Sequence, residues 1–182
     1  MEQLVAPWRI EWVERDDSAS AEADEGCVFC RLPERGDDRE TLVVARSAHA
    51  FVLLNNYPYN PGHAMVIPYD HAGDYRALDD ATLLDHARLK QRTFDAIEDA
   101  LGPDAFNAGL NLGGPAGGSV ADHLHTHVVP RWEGDTNFMP VVSGTKVIVE
   151  AVEETYDRVH EAFAAQSDAT VTETGAVRVD FD

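Results

Sequence analysis

Residues 119–132 read Ser-Val-Ala-Asp-His-Leu-His-Thr-His-Val-Val-Pro-Arg-Trp, and three of the chain's eight histidines stand there two residues apart. In a strand, side chains at i, i+2 and i+4 leave one face, so His123, His125 and His127 would form a row at intervals of roughly 6–7 Å. A helix would scatter them around its axis. Leu124, Val128 and Val129 favour the strand, and Pro130 ends it because proline cannot donate to a sheet ladder. Such a row could bind a catalytic metal, supply a nucleophile with supporting donors, or be a polar row without a task. Buried unpaired imidazoles are costly, which weighs against the last. The neighbourhood favours a nucleophile. Upstream lies Asn111-Leu-Gly-Gly-Pro-Ala-Gly-Gly-Ser119, a glycine-rich turn whose backbone N–H groups could cradle a phosphate.

A second constellation is Cys27-Val-Phe-Cys30, which has zinc-ligand spacing but makes only half a site. The competing reading is a buried pair of unmetallated thiols, and a disulfide is disfavoured in a reducing cytoplasm.

His-Leu-His-Thr-His-Val-Val resembles the signature of the histidine-triad (HIT) family of nucleotidyl hydrolases and transferases. Tyr57-Pro-Tyr-Asn-Pro-Gly-His63, Asn111-Leu-Gly and His127-Val-Val-Pro-Arg-Trp-Glu-Gly-Asp-Thr-Asn-Phe138 look like its branch of diadenosine tetraphosphate phosphorylases. The resemblance spans about residues 4 to 150. It implies that His125 is the nucleophile, forming a nucleotidyl-histidine at the α-phosphorus, with His127 as a donor near the scissile oxygen. His63 matches the outlying histidine that completes the site, and His123 is the first of the triad. Gly118 and Ser119 match phosphate-loop positions, and Asn111 matches the asparagine ending the preceding strand. Asn55 falls where the family places a ribose-binding Asp or Asn, and Trp132 could stack or pack near the phosphates. Three residues separate Ser119 from His123 where the common pattern has two, a spacing shared with the phosphorylase-like branch. Some bacterial members complete a zinc site from positions matching Cys27, Cys30, His71 and His123. The chemistry itself needs no cofactor; a structural zinc is the one candidate.

These residues need a scaffold. Thr41–Ala45, Phe51–Leu54 and His63–Tyr69 carry β signals, and a turn rich in Pro, Gly and Asn precedes the third. Asp79 to Leu101 reads as a helix with Asp79 as N-cap, a stripe of Leu83, Ala87, Phe94, Ile97 and Leu101, and Gly102-Pro103 as its stop. Phe106–Leu112 is a further strand, and Val147–Ala165 a second helix carrying Val152, Tyr156, Val159 and Phe163 on one face. The expected fold is α+β, an antiparallel HIT-like sheet with a long helix between strands and a C-terminal helix. Its parts would be residues 1–25 as an N-terminal arm and acidic linker, 26–145 as the HIT domain, 146–166 as the C-terminal helix and 167–182 as an acidic tail. In that tail Val177, Val179 and Phe181 alternate and could add an edge strand. His49, His86 and His160 carry no motif and read as surface or packing residues.

The formal net charge is −19, and Lys90 and Lys146 are the lysines of this chain. Such a surface suits solubility in concentrated salt, where the Debye length falls to about 3 Å and repulsion of an anionic nucleotide fades. Without a basic patch, nucleic acid is a poor partner. No apolar run of membrane-spanning length and no signal sequence stands in the chain, so a soluble, cytoplasmic protein is expected, with no membrane partner. The reading is therefore an enzyme acting on dinucleoside polyphosphates by phosphorolysis or hydrolysis, with inorganic phosphate as a candidate acceptor, and a homodimer like its family. Two alternatives stay open: a nucleoside phosphoramidase on the same scaffold, and a non-catalytic nucleotide-binding or zinc-stabilised interaction module.

Overall fold

The computed structural model describes residues 26–116, 120–135 and 151–181. The N-terminal arm, Gly118, Ser119, the 136–150 segment and Asp182 lie outside the described residues. Seven strands form one sheet: β1 (Val43–Arg46), β2 (Ala50–Leu54), β3 (Ala64–Pro68), β4 (Ala105–Gly109), β5 (Thr126–Arg131), β6 (Ala169–Val171) and β7 (Val177–Val179). Their order is β4-β5-β3-β2-β1-β7-β6, antiparallel throughout except that β7 runs parallel to β1. Among the described residues four α-helices accompany it: α1 (Val28–Arg31), α2 (Asp38–Thr41), α3 (Asp80–Leu101) and α4 (Val152–Ala164).

The sheet divides the core in two. On one face Val52, Leu54, Ala64, Val66 and Val128 meet Leu89 and Ile97 of α3 and Tyr156, Val159 and Phe163 of α4. On the other, Phe51, Leu53, Met65 and Ile67 pack with Val43 and with Phe29 of α1. Alternation along β2 and β3 makes this split. The register then assigns the site: Met65 pairs with His127, so His127 belongs to the Phe29 face, whereas Val66 pairs with Thr126, which belongs to the helix face.

The caps of α3 are as the sequence reads. The Asp79 side chain accepts from the Thr82 N–H at 2.8 Å, and Gly102 closes the helix at φ +60°. Its buried stripe is not the expected one. Thr82, Asp85, His86, Leu89, Thr93, Ala96 and Ile97 are buried, whereas Leu83, Ala87, Phe94 and Leu101 are only partly so. Four of those buried side chains are polar or charged and hydrogen-bonded, so an apolar count misplaces the stripe by about one residue.

The C-terminal segment also departs from a free acidic tail. Residues 169–179 form a hairpin whose β7 lies inside the sheet, between β1 and the edge strand β6. Val177 and Val179 are fully buried, and Asp38 accepts from Arg46, from the Thr174 hydroxyl and from the Ala176 N–H at 3.1 Å. Burial works against the Asp38 charge, yet these donors outweigh it and hold the carboxyl below its usual range. One buried anion thereby joins α2, β1 and the hairpin.

Candidate active site

The histidine row does not lie on one strand. β5 begins at Thr126, so only His127 is in it; His123 lies in a bend before the strand and His125 immediately precedes it. The turn at 121–122 and the loop at 70–75 meet closely. A Cβ on Gly73 would come within 3.1 Å of the Ala121 carbonyl, and the Leu124 N–H reaches Ala72 O at 2.7 Å. That contact takes His123 out of the ladder and turns it toward α1.

His125 is buried, and its Nδ1 lies 2.8 Å from the carbonyl oxygen of His123. A carbonyl only accepts, so Nδ1 carries the proton and the lone pair is on Nε2. Phe29 packs on the ring at 5.1 Å between centroids, and His127 meets it at 5.0 Å, nearly perpendicular.

His63 and His127 extend the site. The Tyr59 N–H donates to His63 Nδ1 at 3.1 Å, which puts the His63 proton on Nε2. That nitrogen is 2.9 Å from His127 Nδ1 and donates to it, which leaves the His127 proton on Nε2 in the neutral state. Tyr59 stacks on His63 at 4.6 Å. Gly62, just before His63, adopts φ +77°, and a Cβ there would meet Leu101 Cδ1 at 2.4 Å. One backbone amide therefore sets two tautomers in series.

The remaining candidates fare unequally. Asn55 Oδ1 accepts from the Tyr57 N–H at 2.9 Å, and its backbone N–H bonds to His63 O, so its amide nitrogen remains as the donor group beside the site. Asn111 is half-buried two residues beyond β4, where the Gly109–His127 register runs on toward His125. Trp132 donates its indole N–H to Gly102 O at 3.1 Å, a contact with the end of α3 rather than with any histidine. Arg131, the last residue of β5, is committed to Asp135 and to Asn107 Oδ1 at 2.6 Å. That guanidinium holds the Asp135 carboxyl far below its ordinary range.

Cys27, Cys30, His71 and His123 converge, with one ligand atom from each lying within 4.8 Å of all the others. Cys27 Sγ is 3.3 Å from His123 Nδ1, and Cys30 Sγ is 3.4 Å from His71 Nδ1 and 3.6 Å from His123 Nδ1. Tetrahedral zinc at ordinary bond lengths separates sulfur from nitrogen by about 3.6 Å, so the spacing fits the ion. The supporting contact fits too. His123 Nε2 donates to Pro68 O at 2.8 Å, which turns the Nδ1 lone pair toward the thiols. Burial lowers the His123 pKa and, with Cys27 alongside, raises that of the Cys30 thiol.

Phe29 and Tyr59 were not singled out by the sequence. Phe29 reads as a spacer between two cysteines and Tyr59 as part of a turn, and only the fold brings their rings onto histidines.

A carbonyl-anchored imidazole beside a second imidazole that presents a proton, set on an antiparallel sheet, is equipment for covalent transfer through histidine. The chain belongs to the HIT domain family, whose model matches residues 37–134, and is an enzyme of its nucleotide hydrolase and transferase class. It is 41% identical over 160 residues to the AP-4-A phosphorylase of Mycobacterium tuberculosis, covering 85% of this chain and 80% of that one. An adenosine 5'-monophosphoramidase of Schizosaccharomyces pombe is 30% identical over 105 residues, covering 58% of this chain and 74% of its own. Among solved structures, a Zn-bound histidine triad family protein from Mycobacterium smegmatis matches with a TM-score of 0.61 and 27% identity, covering 76% of this chain and 94% of its own.

Proposed function

We propose that the protein cleaves dinucleoside polyphosphates of the diadenosine tetraphosphate type through a nucleotidyl-histidine on His125 and completes the cycle by phosphorolysis. The observation that carries this is the 2.8 Å bond from His125 Nδ1 to the His123 carbonyl, which makes Nε2 a nucleophile without any proton having to leave it. Nε2 attacks the α-phosphorus, a P–N bond forms, and the P–O bond to the departing polyphosphate breaks with its electron pair. The ring gains positive character, and the His123 carbonyl stabilises it through the N–H it already holds. His127, whose proton the His63 relay places on Nε2, donates to the oxygen that takes up negative charge. Asn55 serves the ribose, and Asn111, Gly118 and Ser119 the phosphates. An incoming phosphate oxygen then displaces the histidine, the P–N bond breaks, and a nucleoside diphosphate leaves.

The 41% identity to a protein named AP-4-A phosphorylase supports phosphate as acceptor. The 30% identity to an adenosine 5'-monophosphoramidase supports a second reading, cleavage of a P–N bond in a nucleoside phosphoramidate. With diadenosine tetraphosphate and millimolar phosphate, phosphorolysis gives ADP and ATP. AMP and ATP, unchanged by added phosphate, would decide for hydrolysis, and turnover confined to phosphoramidates would decide for the second reading.

Cys27, Cys30, His71 and His123 would hold a structural zinc, which when bound cross-links α1 to the 68–75 loop and to the start of the histidine segment. A homodimer is supported by β4, an edge strand whose residues are mostly exposed. The net charge of −19 supports activity in concentrated salt. No helix among the described residues is long and apolar enough to cross a membrane, which accords with a cytoplasmic site of action.

A further inference from the structure

Thr126 stands between His125 and His127, and its side chain leaves the opposite face of the sheet. There it meets two side chains from two other segments, His86 and Tyr75. His86 of α3 is buried, and its Nε2 lies 3.2 Å from Val66 O and 3.3 Å from Thr126 Oγ1. Thr126 Oγ1 lies 3.2 Å from the Tyr75 hydroxyl, which lies 3.4 Å from His86 Nδ1. Val66 O can only accept, so the His86 proton is on Nε2. That fixes the rest. Nε2–H donates to Val66 O and Thr126 Oγ1, the Thr126 hydroxyl donates to Tyr75, and the Tyr75 hydroxyl donates back to His86 Nδ1. The three side chains close a ring of hydrogen bonds running in one direction, complete only with neutral His86. Burial, which lowers the His86 pKa, favours that form.

We infer that this ring is a positioning device for the transfer reaction, and that Thr126, Tyr75 and His86 are its positioning residues. None of them reaches the catalytic face. The ring anchors the one residue whose backbone torsions set the angle between the nucleophile and its donor, whose rings are 5.0 Å apart. Polar groups buried in place of apolar ones cost stability unless fully satisfied, and once satisfied they specify one arrangement. Apolar packing alone would let β5 settle by small slides. A closed ring holding the first residue of that strand resists them, and small misplacements at a reacting pair are expensive in rate.

The inference rests on reading His125 and His127 as the reacting pair, and the test separates the two. Loss of turnover in His125→Ala belongs to that reading; the ring is tested by Thr126→Val, which removes the hydroxyl at nearly constant volume. The expected result is a fall in kcat of about tenfold or more, with KM changed by less than about threefold. Thr126→Ser, which restores the hydroxyl, should recover kcat to within about threefold of wild type. Tyr75→Phe breaks the same ring at another bond, so the Thr126→Val/Tyr75→Phe double variant should be no slower than the worse single. Thermal melting of each variant accompanies the kinetics. If Thr126→Val does not fold, Tyr75→Phe and its kcat stand in its place. Folded Thr126→Val with wild-type kcat, failure of Thr126→Ser to rescue, or losses that simply multiply in the double variant would overturn the proposal.

Discussion

His123 and His125 are two residues apart, and each is tied by one ring nitrogen to a backbone carbonyl, yet the two imidazoles are set for opposite work. In His123 it is Nε2 that donates, to Pro68 O, so Nδ1 faces two thiols and a second imidazole. In His125 it is Nδ1 that donates, to the carbonyl of His123 itself, so Nε2 carries the lone pair. The choice between ligand and nucleophile is thus made by which nitrogen a carbonyl occupies, not by the residue type. The two sites are also in series. The residue whose ring belongs to the Cys/His cluster supplies the carbonyl that fixes the tautomer of the nucleophile. Phe29, held between Cys27 and Cys30, touches both rings.

The comparison breaks most sharply at His125. His125→Ala should lower turnover by about a thousandfold or more while leaving nucleotide binding, metal content and melting temperature near wild type. More than about a tenth of wild-type turnover would remove His125 from the nucleophile's role. Cys27→Ala should do the reverse. Protein purified without chelator should carry about one zinc per chain, and the variant should lose it and melt several degrees lower, by about 5 °C or more. Its kcat should fall far less than that of His125→Ala. Absence of zinc from wild-type protein would end the metal role of the cluster and leave the catalytic account standing.

A smaller effect should come from pH. His86 is buried neutral, so its folded pKa lies below the unfolded value of about 6.5, and the unfolded chain takes up its proton first. Its share of stability is therefore present above about pH 6.5 and is lost as pH falls toward the lower folded value. His86→Gln should be less stable than wild type at pH 7 and show a shallower loss between pH 7 and pH 5, measured by urea melts across that range. An unchanged slope would show that His86 titrates alike in both states.

The strands around the site and the long helix with both caps were legible in the sequence because each rests on a local rule, whereas His63 and His71 were joined to their clusters only by the resemblance to the HIT family. A short unbroken apolar run marks β2, Asp79 and Gly102 bracket α3, and Cys-x-x-Cys carries its ligand spacing alone. What failed was whatever depends on two distant segments meeting. The row at 123, 125 and 127 reads as one strand, but contact of residues 121–122 with Gly73 splits it between two sites. Hydrophobic counting could not place the buried face of α3, because His86, Asp85 and Thr82 are buried through hydrogen bonds with segments far away in the chain. The hairpin at 169–179 was hidden by reading residues 167–182 together as an acidic tail, although the alternation of Val177 and Val179 pointed to a strand.

The central claim is a covalent bond between His125 Nε2 and the transferred nucleotide, and the most direct measurement is to trap it. Protein mixed with diadenosine tetraphosphate without phosphate, and quenched under alkaline denaturing conditions that spare a P–N bond, is digested and its peptides weighed. Adenylylation should appear on the peptide containing His125, be absent from His125→Ala, and vanish with release of ADP when phosphate is added before the quench. A nucleotide found on another residue, or steady turnover with no histidine-bound nucleotide at any time point, would contradict the account.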